Sequence, residues 1–164
     1  MKKITLLLLS VFALTAMAQV TTIPAIIQKG YTGEVTIIFN PNEGNKGMAG
    51  ATKCYAHTGL ITSASSSDGD WKNVVEGWRT NTAKTQMTKD GNNWKLVIPN
   101  IYEYYKCPTT TEIKKIAFVF HDGPSGSKEG KTEDGKDIFV ELADKGLAVS
   151  INDFAEITSL NSKV

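Results

Sequence analysis

An all-β, immunoglobulin-like antiparallel β-sandwich of about seven to eight strands is the fold this sequence predicts. Short runs of β-branched and aromatic residues recur from Val20 onward, and loops rich in Gly, Ser, Asn and Asp separate them. Asp90-Gly91, between Met87 and Trp94, adds a hairpin turn signal.

The elements follow in chain order. Val20 to Ile27, Glu34 to Phe39, Thr52 to Thr58, Lys84 to Met87, Asn93 to Ile98, Ile113 to His121 and Asp137 to Leu142 are the predicted strands. Ile116-Ala117-Phe118-Val119-Phe120 is apolar on both faces, which places it centrally in a sheet. Asp137-Ile138-Phe139-Val140-Glu141 alternates, so one of its faces is wet. Ile101 to Tyr105 is a short helical turn that stops before Pro108. Three connections are long for a compact domain, Asn40 to Gly50, Thr62 to Asp70 and Asp122 to Lys136, and loops of that length often carry function.

The chain opens with Lys2 and Lys3, the apolar run Ile4 to Leu14, and then Ala16-Met17-Ala18. That order is the pattern of a secretory signal peptide over residues 1–18, cleaved after Ala18. A membrane anchor needs about 20 apolar residues. Polar Gln19, Thr21 and Thr22 end the run before that length. The expectation is therefore a protein secreted, periplasmic or at the cell surface, with one sandwich domain over 19–150 and a C-terminal tail or truncated linker over 151–164. Ala148-Val149-Ser150-Ile151 is one more candidate strand at the start of that tail.

The 18 basic and 17 acidic side chains are scattered, and the signal removes two of the lysines. Nothing in this balance attracts nucleic acid or an anionic membrane. Cys54 and Cys107 would enter an oxidising compartment. Paired, they would close a loop of roughly 50 residues worth roughly 4 kcal/mol. Unpaired, they are two small apolar side chains, and the sequence leaves both readings open. Two isolated Cys and two distant His have no zinc-ligand spacing, and no cofactor motif is present.

Strand alternation sorts the aromatic residues into faces. Trp94 shares a face with Leu96 and Ile98 and belongs to the core. In Thr52 to His57, Cys54 and Ala56 point one way while Lys53, Tyr55 and His57 point the other, either as a polar aromatic platform or as residues under a loop. Trp71 and Trp78 follow a loop of Ser and Asp outside any clean strand pattern, as lids on the core or as exposed rings. Exposed rings suit sugars, because the C–H faces of a pyranose lie flat on them.

Catalytic motifs are absent: no Gly-x-Ser-x-Gly, no His-Glu-x-x-His and no glycine-rich phosphate loop occurs. Asp68, Asp70, Glu76, Glu129, Glu133, Asp134 and Asp137 are candidate glycosidase carboxylates by type alone. Asp68 with Asp70 lacks the rest of a calcium ligand set.

Cys54-Tyr55-Ala56-His57-Thr58-Gly59, Asp70-Trp71-Lys72 and Ile116 to Phe120 resemble a known family, as do Ser127 to Lys131 and Gly135 to Val140. The family is the starch-binding β-sandwich module at the N-terminus of secreted bacterial alpha-amylases, in the manner of carbohydrate-binding module families 25 and 26. The resemblance runs from about Val20 to Ser150. It implies a non-catalytic module that docks starch-like alpha-glucan, with His57 hydrogen-bonding hydroxyls, Trp71 stacking on glucose and Trp78 as a second ring, and Tyr55 joins the candidate site through the face it shares with His57. Where related modules place a further Trp before the last strand, this chain has Lys128 and Glu129. Such amylases continue into a catalytic barrel, so the expectation is a stand-alone binding protein, a truncated amylase, or a partner of other cell-surface glycan-degrading proteins. A structural or protein-docking sandwich of the cell envelope is the alternative, from a different class.

Overall fold

Apolar side chains at alternate positions give the strands of the computed structural model an inner face each; the structure describes residues 18–146. The predicted signal peptide and C-terminal tail, with its candidate strand, lie almost wholly outside the described residues. Eight strands form: β1 (Val20–Ile23), β2 (Val35–Phe39), β3 (Tyr55–Thr62), β4 (Thr88–Asp90), β5 (Asn93–Ile98), β6 (Ile113–His121), β7 (Glu129–Gly130) and β8 (Ile138–Glu141). Between β5 and β6, α1 (Ile101–Tyr104) is one turn, capped by the Asn100 side chain accepting from Tyr102 and Glu103 backbone N–H groups.

Two antiparallel sheets result, the all-β sandwich expected. One has the order β1-β2-β5-β4. In the other, β3 pairs with one edge of β6, and β7 and β8 share the other edge. The inner faces meet through Val35, Ile37 and Phe39 of β2, Leu96 and Ile98 of β5, Leu60 of β3, and Ile116, Phe118 and Phe120 of β6. Phe39 stacks on Phe120 across the sandwich, ring centroids 3.9 Å apart. Trp94 is buried in this core, as its alternation with Leu96 and Ile98 predicts.

Differences from the predicted boundaries have local causes. β1 stops at Ile23 because Pro24 has no N–H to continue the ladder. β3 begins and ends later than predicted. It runs on through Gly59 to Thr62 because β6 pairs with it along that length. The predicted strand Lys84 to Met87 is a short bridging segment: Ala56 N–H donates to the Thr85 carbonyl and Met87 N–H to the Cys54 carbonyl before the chain crosses to β4. The hairpin follows as expected, with Asp90 opposite Asn93 and Gly91 at φ 57°. β7, two residues long, carries no periodicity and was not predicted.

Of the two readings left open for the cysteines, the structure has the unpaired one. Both thiols are free, Cys54 buried with its Sγ 3.5 Å from Met87 Sδ and Cys107 half-buried elsewhere. Burial pushes both thiols above their ordinary pKa.

Candidate functional site

The outer face of the β3–β6 pair is built by register. Tyr55 lies opposite His121, His57 opposite Val119, and Gly59 opposite Ala117. β7 ends opposite Phe120 at Gly130, and β8 begins opposite Phe118 at Ile138. The connection between them therefore leaves the sheet at Lys131 and returns at Asp137. Both charged residues flank Val119, across the strand from His57.

A second segment roofs the same face. Lys72 exchanges backbone hydrogen bonds with Leu60, and Val75 N–H donates to Thr58, which fixes residues 71–75 along the free edge of β3. Gly59 permits this close approach: a Cβ there would lie 3.1 Å from the Lys72 carbonyl and 3.3 Å from the Trp71 ring. The Trp71 indole N–H is anchored on the Asp68 carbonyl at 3.1 Å.

The result is an open cleft of about 430 Å³ whose walls include His57, Trp71, Trp78, Lys131 and Asp137. That size falls within the range of small-ligand sites. Trp71 stacks beside the His57 imidazole at 5.4 Å and 25°, whereas Trp78 meets it edge-on at 5.1 Å and 82°. The two indoles are thus steeply inclined to each other. Trp78 is 47% exposed.

Trp78 is held from behind. The Arg79 guanidinium lies 5.5 Å from its ring centroid and donates to the Gly123, Gly126 and Lys128 carbonyls. The same group pairs with Asp122 at 3.4 Å and Glu129 at 3.1 Å. One planar fork thereby ties the Trp78 segment to the 122–129 loop.

Electrostatics sort the polar groups. Burial lowers the His57 pKa, opposed by the Asp137 carboxylate and the Glu76 carbonyl, so the ring is neutral at neutral pH. Its Nδ1 is buried without a hydrogen-bond partner. Asp70 is held down to about 2 by Lys72, whose ammonium is 2.7 Å away, and by Ser66. Lys131 pairs with Glu129 at 3.1 Å. Asp137 makes no hydrogen bond or ion pair with another described residue. Beneath the site, burial and the Arg79 charge push His121 down to about 4, and its Nδ1 accepts from Gly123 N–H.

No family model matches the chain, and no curated protein matches it.

Of the six residues singled out in the sequence, the fold brings His57, Trp71 and Trp78 to one cleft and leaves three out of its walls. Tyr55 shares the His57 face but is 5% exposed, stacked on His121 at 5.7 Å, with Gly123 against its ring. Of the two readings left open for the Lys53-Tyr55-His57 face, Tyr55 takes the one under a loop, and its place among the sugar-binding residues is corrected. Lys128 turns away to donate to the Ala49 carbonyl at 2.7 Å. Glu129 is engaged by Arg79 and Lys131 and sets their positions.

Lys131 and Arg79 were missed as site residues, and Asp137 was named only as a carboxylate by type. Nothing local marks Lys131 or Arg79, whereas the alternation of residues 137–141 already placed Asp137 on the face of Phe139. Among the described residues, no three His, Cys, Asp or Glu side chains cluster to hold a metal ion. No helix there is long and apolar enough to cross a membrane.

Proposed function

We propose that the chain is an exported, non-catalytic module that binds starch-like alpha-glucan at the Trp71–His57–Trp78 cleft, as an accessory to amylase-type polysaccharide degradation. The observation that carries this reading is the pair of steeply inclined indoles on either side of one neutral imidazole. Each indole offers a flat apolar face to a pyranose, and His57, Lys131 and Asp137 offer hydrogen bonds to its hydroxyls. Two rings inclined in this way suit a glucan that turns between residues, as α-linked chains do. A flat β-linked ribbon would lie on only one of them.

Binding rather than hydrolysis is favoured by Asp70, one of the carboxylates lining the cleft. Glycoside hydrolysis needs a general acid with a raised pKa opposite a second carboxylate. Asp70 is instead held down to about 2 by Lys72 and Ser66. Export rests on the charged, apolar and small-residue order of residues 1–18, and mass spectrometry of exported protein should place the N-terminus at Gln19.

An open cleft leaves water competing for most hydroxyls, so binding should be weak, about 10 μM to 1 mM. Retention on granules would then depend on several modules acting together. Native affinity electrophoresis tests the reading: the protein should be retarded in amylopectin and unretarded in hydroxyethylcellulose. Equal migration in both gels and in a blank gel would favour the protein-docking alternative.

A further inference from the structure

Beyond the Trp cleft, the same sheet face carries a second hollow of about 290 Å³, walled by Asp68, Gly69, Lys136, Asp137 and Phe139. Gly69 and Asp137 line both hollows. The two are therefore neighbours across one shared wall. Their alignment follows from pairing: Gly59 lies opposite Ala117, and Ala117 lies opposite Phe139 on the other side of β6. Directly paired residues project to the same face, so Phe139 lies on the surface that carries His57 and Trp71. Two strand spacings, roughly 10 Å, separate Phe139 from Gly59, where the Trp71 ring rests.

We infer that this hollow is a second subsite of the same groove, in which the half-exposed Phe139 ring and the Lys136 ammonium, which pairs with Asp134 at 2.6 Å and has further N–H donors, receive further sugar residues of a chain already held at Trp71 and Trp78. The inference rests on the glucan reading above and extends it to an oligosaccharide longer than the first cleft. Its chemistry repeats that of the first: an aromatic ring, a lysine and the shared Asp137 carboxylate line each hollow. Asp137, which has no partner among the described residues, stands where it can accept from hydroxyls on both sides. Lys115 fixes the ring from one side, with its Nζ 5.2 Å from the Phe139 centroid and 3.2 Å from Asp68. A repeating ligand is what a repeated set of groups on one face would recognise.

Calorimetric titration with maltotriose and maltoheptaose tests the inference on wild type, Phe139→Ala and Lys136→Ala, each checked for an unchanged melting curve. Wild type should bind maltoheptaose about tenfold more tightly than maltotriose. Phe139→Ala should reduce that ratio to about two- or threefold while leaving the maltotriose affinity unchanged. A gain that came only from the larger number of binding registers on a longer chain would survive the substitution. Lys136 is largely exposed, so Lys136→Ala keeps the question open to measurement should Phe139→Ala fail to fold. It should weaken maltoheptaose alone, by about threefold. Full retention of the length ratio in the folded variants would overturn the second subsite and leave the Trp cleft standing. Failure of wild type to bind either sugar would overturn both.

Discussion

Tyr55 and His57 stand two residues apart on β3, point to the same side of the sheet, and meet opposite fates. Tyr55 is 5% exposed beneath the 122–129 loop, with Gly123 on its ring. His57 is half-buried and opens onto the cleft between two indoles. Strand alternation gave them one face; a loop tied down by Arg79 closed one end of that face and left the other open. Burial on a sheet is thus decided by what crosses over it as much as by register.

The closed end should behave as core. Tyr55→Ala should cost about 3 to 5 kcal/mol of stability, the range for a large aromatic removed from a packed site, in denaturant unfolding. His57→Ala at the open end should cost less than about 1 kcal/mol, in part because a buried nitrogen without a partner is removed with the ring. Equal costs would erase the distinction between the two ends.

Arg79 is what makes the difference. Arg79→Ala removes one guanidinium that joins three carbonyls and two carboxylates, and leaves Asp122 and Glu129 without it. The expected loss is about 2 kcal/mol, below that of a fully buried pair because water reaches part of the group. Hydrogen exchange should speed up across residues 122–129 and spare β2 and β5. A stability loss with unchanged exchange in that loop would remove the clamp from the account.

Acid should reach the same end of the face. The folded chain holds His121 at about 4 and His57 below its ordinary value, whereas the unfolded chain protonates both near 6.5. The unfolded state therefore binds protons first as pH falls. Stability present above pH 6.5 should decline toward pH 4, by on the order of 1 to 2 kcal/mol. Asp70 and Asp134, both held down to about 2, stay ionised through that window. His121→Gln should flatten the decline in melting temperature between pH 6.5 and 4.5. A decline of equal size in that variant would assign it elsewhere.

The smallest effect concerns the thiols. With Cys54 and Cys107 free, a reducing agent should leave the melting temperature unchanged, and labelling of native protein should reach Cys107 before Cys54. A drop of several degrees on reduction would restore the bridge.

Much of the sandwich was legible because its signals are local. Ile116 to Phe120 is buried on both faces, Trp94 is core, and the turn after Asp90 forms its hairpin. The predicted strand stopped at Thr58, whereas β3 passes on through Gly59. The glycine serves the chain that crosses above, Lys72 and Trp71, and only tertiary contact reveals that. The site divides in the same way. His57, Trp71 and Trp78 were visible by residue type and position, but Lys131 reaches the cleft only because β7 ends and β8 begins on either side of Val119. Arg79 acts through partners more than forty residues away, beyond any periodicity. Lys128 and Glu129 were placed in the site by their position before the last strand, and the Ala49 carbonyl and the Arg79 guanidinium take up their side chains instead.

The central claim is that the open end of this face holds glucan on the Trp71 ring. Calorimetric titration of maltoheptaose into wild type and Trp71→Ala, with melting curves for both, tests it most directly. Wild type should bind at about 10 μM to 1 mM, and the variant at least about tenfold more weakly. Its melting temperature should remain within a few degrees, because a half-buried surface ring contributes little core. A folded Trp71→Ala protein that binds maltoheptaose as tightly as wild type would contradict the account.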